Sequence, residues 1–284
     1  MRKTGVCGEV SFYNNLRIMT NLSCDQRCRF CYQQNYATRY VNFSTILTEL
    51  EKYMVPSSKL YEVFESVTIL GGEPTLHPKI DQIVDWFKND QQMPIVRMNT
   101  NGKRLLRGDT ALDVCRNLDV LCFDVGLGQT EASVNSEDFK TTAEKVELAR
   151  GLLDTYEHLS VKFNHVFYEE NKKVLGYYFK WFLALLKKSH LDMSRVMVNV
   201  CEDVNSDTDI NVDRFLGCVG EGRIDSQESK FFTKLYIQGV DVAYFGFDKY
   251  GATKDFVLIW EKGSTTNILD YLKVVECKGV VSEV

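Results

Sequence analysis

Six times along this chain a β-branched apolar run is followed by a helical pattern, and that alternation restricts the fold more than any other feature. The runs are Leu16 to Leu22, Ser66 to Leu70, Ile95 to Thr100, Val120 to Val125, Ser160 to Phe167 and Val196 to Cys201. After the first, a helix over about Phe43 to Met54 puts Phe43, Ile46, Leu47, Leu50 and Tyr53 on one stripe. Later helices start near Pro78 and cover about Thr110 to Arg116 and Thr141 to Tyr156. The fifth carries Leu175, Tyr178, Phe179, Phe182 and Leu186 on one face. Such units in order require parallel strands joined by crossovers. Six are too few to close an eight-unit barrel. The expected class is therefore α/β, a partial (β/α)6 barrel with an open side and its ligands at the C-terminal strand ends.

After about residue 205 the pattern changes. Phe232 to Phe247 and Asp255 to Trp260 read as antiparallel strands around Gly239 and Gly251. The expected organisation is a barrel core over residues 1–205 and a C-terminal extension or substrate cap over residues 206–284. Its aromatic residues, Phe231, Phe232, Tyr236, Tyr244, Phe245, Phe247 and Tyr250, suit strand packing or a cap.

The net charge of −5 over 284 residues argues against a large nucleic acid as partner. The most apolar stretch, Val174 to Leu186, is short and holds Lys180, so no membrane span is expected. No apolar segment follows Met1 to Gly5, so no signal peptide is visible and a cytoplasmic location is expected. In that reducing compartment, cysteines serve as ligands more often than in disulfides.

Immediately after the first strand comes Cys24-Asp25-Gln26-Arg27-Cys28-Arg29-Phe30-Cys31-Tyr32. Three thiolates within eight residues of a loop can close on one soft metal centre. A zinc ion completed by a distant His or Cys is one occupant. A 4Fe–4S cluster with one iron left open is another. The second strand ends in Gly71-Gly72-Glu73-Pro74, where glycines permit close backbone approach to a ligand and Glu73 offers a carboxylate.

The Cys-x3-Cys-x2-Cys loop with flanking Phe30 and Tyr32, followed by Gly-Gly-Glu-Pro, resembles the radical S-adenosylmethionine enzymes. The resemblance runs over roughly residues 16 to 202. It implies that Cys24, Cys28 and Cys31 ligate a 4Fe–4S cluster whose open iron is chelated by S-adenosylmethionine. It implies that Gly71, Gly72, Glu73 and Pro74 hold the methionine ammonium and that Tyr32 lies by the adenine. Asn101, in a Thr-Asn-Gly turn after strand three, is either a further cofactor contact or a plain polar turn residue. Asp124 at the end of strand four is implied to contact the cofactor ribose, and Asn164 on strand five its ribose or carboxylate. His165 alternates with Asn164, so it points to the opposite face as a satisfied structural histidine.

The activity so implied is reductive cleavage of S-adenosylmethionine to a 5′-deoxyadenosyl radical that takes hydrogen from a substrate. The partners implied are an electron donor such as flavodoxin or ferredoxin, and a substrate peptide or small molecule. An open barrel leans toward a peptide. A non-enzymatic iron–sulfur or zinc protein would need the cysteines but not Glu73. The scattered Cys7, Cys115, Cys122, Cys201, Cys218 and Cys277 form no Cys-x2-Cys pair and read as core residues.

Overall fold

Period-two alternation gives the strands one apolar face and one polar face, and the helices cover the apolar one. The computed structural model describes residues 15–28, 31, 40–51, 59–62, 64–108, 112–126, 136–168, 171–202, 211–220, 222–228, 232–245, 256–260 and 263–265. The first strands are β1 (Asn15–Met19), β2 (Ser66–Leu70), β3 (Ile95–Thr100), β4 (Val120–Asp124), β5 (Ser160–Phe167) and β6 (Val196–Glu202). The later ones are β7 (Arg223–Glu228), β8 (Thr233–Ile237), β9 (Val240–Phe245), β10 (Phe256–Trp260) and β11 (Gly263–Thr265). The α-helices are α1 (Phe43–Glu51), α2 (Ile80–Asp85), α3 (Lys103–Arg107), α4 (Ser136–Thr155), α5 (Lys172–Lys188) and α6 (Val212–Val219). A π-helical turn, Trp86–Asp90, continues α2.

The chain divides into two compact units. One holds the described residues of 15–27, 31, 40–122 and 256–265. Its sheet runs in the order β11-β10-β1-β2-β3, parallel from β10 to β3. Leu16 and Ile18, Val67 and Ile69, and Val96 and Met98 form adjacent buried rows. Ile46 and Leu50 of α1, and Ile83, Val84 and Phe87 of α2 and its continuation, are buried as well. Burying each such side chain contributes about 1.5–3 kcal/mol. The opposite face is polar and carries Asn15, Arg17, Ser66, Thr68 and Arg97.

The other unit holds Cys28 and the described residues from 123 to 245. There β5, β6 and β9 are parallel neighbours, and β9, β8 and β7 are antiparallel ones. Helix α5 buries the expected stripe of Leu175, Tyr178, Phe179, Phe182 and Leu186. Against it stands His165, whose ring lies 4.5 Å from that of Phe182 and 5.0 Å from that of Phe179.

Several expectations need correction. Asp255 to Trp260 was expected to be antiparallel; β10 is antiparallel to β11 but pairs parallel with β1. Its sequence, Phe-Val-Leu-Ile-Trp, is the continuous apolar run that parallel strands favour. The expected helix over Thr110 to Arg116 is α3 at Lys103–Arg107, followed by a 3-10 turn at Leu112–Asn117. Helix α4 starts at Ser136, because its acidic first turn carries no apolar period. His165 does face away from Asn164, but it is not satisfied: both ring nitrogens lack a hydrogen-bond partner among the described residues. Phe231, Phe247 and Tyr250 lie outside the described residues. Among the described residues no helix is long and apolar enough to cross a membrane.

Burial, with the nearby Lys145 charge adding to it, pushes His165 down from 6.5 to about 3. The folded chain keeps the ring neutral where the unfolded chain protonates it, so this group costs stability as pH falls from about 6.5 toward about 3. His165→Leu is expected to flatten that slope and to leave neutral-pH stability equal or higher, because it removes two unpaired buried nitrogens. Urea unfolding of both chains across this pH range checks it.

Candidate functional site

In the first unit, the C-terminal ends of β1, β2 and β3 are joined by hydrogen bonds. Beyond β1 the chain runs through Thr20 to Ser23 into the cysteine loop. Beyond β2 it turns through Gly71 and Gly72. Thr20 N–H donates to Leu70 O (2.9 Å), Gly72 N–H to Asn21 O (2.9 Å) and Glu73 N–H to Ser23 O (2.7 Å). Asn21 Nδ2 returns a bond to Glu73 O (2.9 Å). The parallel ladder thus continues past the strands and fastens the turn to the root of the cysteine loop. A Cβ on Gly72 would fall inside the Ser23 carbonyl, and one on Gly71 would lie 2.8 Å from Asn21 Oδ1. The glycines are needed here for approach to the protein's own backbone.

Glu73 is 1% exposed. Its Oε1 accepts bonds from Thr75 N (3.1 Å), Thr75 Oγ1 (2.6 Å) and Thr100 Oγ1 (2.6 Å). Its Oε2 accepts one from Asn101 N (2.6 Å). Burial pushes the carboxyl up, against the opposing pull of these four bonds. Pro74 opens the 3-10 turn Pro74–Leu76, for which Glu73 is the N-cap. The carboxylate thereby ties the end of β2 to the end of β3.

Asn101 carries the tie onward. Its Nδ2 donates to Asp25 Oδ1 at 2.7 Å and lies 4.0 Å from Cys24 Sγ. Its Oδ1 accepts from Lys103 N (2.9 Å), and Lys103 Nζ donates to Asp25 O (3.1 Å). The turn closes because Gly102 takes a left-handed φ of 77°.

Cys24, Cys28 and Cys31 form no disulfide and are of intermediate exposure, whereas Cys115 and Cys122 are buried. Burial pushes the Cys24 thiol up to about 11. Gln26 N–H, 3.4 Å from Sγ, opposes that shift, while the charges of Glu73, Asp25 and Cys31 add to it. Cys28 belongs to the other unit. Among the described residues no three His, Cys, Asp or Glu side chains gather as an ion-binding group.

Asp124 and Asn164 also fall in the other unit. Their side chains bond to each other, and Asn164 Oδ1 accepts from Asn199 Nδ2 at 3.0 Å. Lys145, fully buried, donates to Asp124 O at 2.6 Å. Burial pushes Asp124 up to about 6, against Lys145 and Asn164. Tyr32 lies outside the described residues. The structure therefore brings together Cys24, Gly71, Gly72, Glu73, Pro74 and Asn101, and separately pairs Asp124 with Asn164.

Sequence reasoning missed Asn21, Thr75, Thr100, Lys145 and Asn199. Asn199 had a signal, as a polar residue within an alternating apolar strand in register with Asn164. Lys145 had none, being one more charge on a polar helix.

No protein-family model matches the chain. It is 26% identical over 128 residues to a GTP 3′,8-cyclase of Shewanella denitrificans, covering 45% of this chain and 34% of that one. It is 27% identical over 124 residues to a GTP 3′,8-cyclase of Microcystis aeruginosa, covering 43% and 35%. The chain thus spans about a third of the length of these curated relatives. The crystal structure of SuiB from Streptococcus suis superposes with a TM-score of 0.56 at 16% identity, covering 96% of this chain and 63% of that one. The fold it shares is the expected α/β one, a mostly parallel sheet of partial-barrel type. The cysteine loop and the Gly-Gly-Glu-Pro turn lie within it.

The chain is thus similar to GTP 3′,8-cyclases over less than half of its length and to SuiB in fold.

The Gly-Gly-Glu-Pro turn and the root of the cysteine loop are one hydrogen-bonded piece. Gly72→Ala is expected to force the turn off Ser23 and to destabilise the fold by about 1–3 kcal/mol. Glu73→Gln turns one acceptor into a donor facing Thr75, Thr100 or Asn101 and is expected to cost about 1–3 kcal/mol. Denaturant unfolding measures both. Unchanged stability in Glu73→Gln would remove Glu73 from the tie.

Proposed function

We propose that this chain is a radical S-adenosylmethionine enzyme that abstracts hydrogen from a small-molecule or peptide substrate. The observation carrying the proposal is the hydrogen-bonded junction in which Asn101 reaches Asp25 and faces Cys24, while Glu73 holds Asn101. Motifs some forty residues apart meet there, on the strand ends where such a fold binds ligands.

The donor set fits an iron–sulfur cluster. Cys24, Cys28 and Cys31 are partly exposed cysteines, none in a disulfide, close together in sequence. Gln26 N–H and Asn101 Nδ2 both lie near Cys24 Sγ, as N–H groups do around cluster sulfurs. Cys24, Cys28 and Cys31 would hold a 4Fe–4S cluster, which would supply the electron, taken from an external donor such as flavodoxin or ferredoxin, for reductive cleavage of S-adenosylmethionine. The chain's residues bind and orient. Gly71, Gly72, Glu73 and Pro74 form the seat of the methionine ammonium. With the Glu73 side chain engaged by Thr75, Thr100 and Asn101, that seat works through backbone carbonyls, and Glu73 fixes their position. Tyr32 is assigned to the adenine, and Asp124 with Asn164 to the ribose. Residues 206–284 are assigned to a substrate cap.

Of the two substrate classes, the small molecule is favoured by the curated relatives, which are named for action on GTP. The likeness to SuiB supports the fold alone.

The test is anaerobic reconstitution followed by dithionite. The wild-type chain is expected to hold four irons and release 5′-deoxyadenosine. Ala at Cys24, Cys28 or Cys31 is expected to abolish both, whereas Cys201→Ala and Cys218→Ala keep them. Stoichiometric zinc in anaerobically purified protein, or four irons in the triple variant, would overturn the proposal.

A further inference from the structure

Helix α4 places a lysine where its pattern calls for an apolar residue. Lys145 stands four residues before Ala149 and seven before Leu152, so all three share one stripe of the helix, and all three are buried. Lys145 itself is fully buried. A cation in that position is costly unless its charge and its donors are used. Among its bonds is one from Nζ to Asp124 O, at 2.6 Å. The next residue, Val125, donates its N–H to Asn164 O (2.8 Å). The end of β4 is thus held from the helix by Lys145 and from the side by β5. Lys145, Asp124, Asn164 and Asn199 all belong to one unit.

The Asp124 side chain is served by a chain of amides. Asn164 and Asn199 are in register on β5 and β6. Asn199 Nδ2 donates to Asn164 Oδ1 (3.0 Å), which leaves Asn164 Nδ2 to donate to the Asp124 carboxylate. The polarity runs from Asn199 to Asn164 to Asp124, and it ends on an acceptor. An ionised carboxylate accepts only, so a ligand meeting Asp124 must bring donors such as hydroxyl groups. A protonated Asp124 would lose that selectivity. Burial favours the protonated form, and the charge of Lys145 is the first influence opposing it, ahead of the Asn164 bond. His165, beside Asn164 but on the opposite face, is kept neutral and also feels the charge of Lys145.

We propose that Lys145 is a positioning residue of the site at the end of β4: it holds the Asp124 main chain in place and keeps the Asp124 side chain an ionised acceptor for a ligand's hydroxyl groups. That the hydroxyls are those of the ribose of S-adenosylmethionine rests on the reading above; the hold of Lys145 on Asp124 does not.

The experiment follows the Asp124 carboxyl carbon by NMR in the full chain, purified without oxygen and labelled at aspartate, with Asp124→Asn assigning the signal. The wild-type midpoint is expected at about 6. Lys145→Met keeps the straight side chain and removes the charge, and it is expected to raise the midpoint by about 1–3 pH units. An unmoved midpoint in folded Lys145→Met overturns the proposal. So does a wild-type carboxyl still protonated at about pH 8, a measurement that needs no variant. Both chains, cluster-loaded, are then titrated calorimetrically with S-adenosylmethionine at a series of pH values. At about pH 6.5 Lys145→Met is expected to bind about threefold more weakly or worse, and to recover as pH rises through its own midpoint. A loss that no pH recovers marks a damaged site and overturns the proposal. Equal affinity of the two chains at every pH, beside a moved midpoint, overturns the ligand role of Asp124. A wild-type chain that binds no S-adenosylmethionine, beside a moved midpoint, supports the hold of Lys145 on Asp124 and overturns the radical reading.

Discussion

A single buried carboxylate organises the candidate site. Glu73 collects four donors from three residues: Thr75 and Thr100 bond to its Oε1 and Asn101 to its Oε2. Buried carboxylates are costly unless hydrogen-bonded, and this one is bonded on both oxygens. Its main chain is fastened just as firmly, through Glu73 N to Ser23 and Asn21 Nδ2 to Glu73 O. One residue therefore fixes three segments that are distant in sequence: the root of the cysteine loop, the glycine turn and the Thr-Asn-Gly turn.

Around that residue the sheet supplies the frame. The apolar rows of β1, β2 and β3 and the helical residues buried with them hold the strands in register. The register in turn sets which polar residues share the opposite face. The same logic operates in the other unit, where Asn164 and Asn199 are in register and hydrogen-bonded next to Asp124.

Much of this was legible in the sequence. β2, β3 and β5 have the expected bounds, because a β-branched run flanked by polar turns leaves little freedom in where a strand stops. The triplet and the Gly-Gly-Glu-Pro turn were recognisable because their chemistry needs contiguous residues. The direction of β10 was not legible, since five apolar residues carry no mark of which neighbour they join. Nor were the partners of Glu73, because Thr75 and Thr100 are ordinary turn and strand residues until folding sets them beside a carboxylate. His165 shows another limit. Alternation assigned its face correctly but said nothing about whether aromatic neighbours would leave its nitrogens unpaired.

The ladder that joins Asn21 and Ser23 to Gly72 and Glu73 is built wholly from protein groups. In the proposed reading this separates two stages in the life of the molecule. The platform is completed when the polypeptide folds, whereas the loop beyond Ser23 is closed by whatever delivers iron and sulfide. Maturation would then resemble loading a finished socket, since the bonds that hold the template belong to the protein and not to the inorganic core.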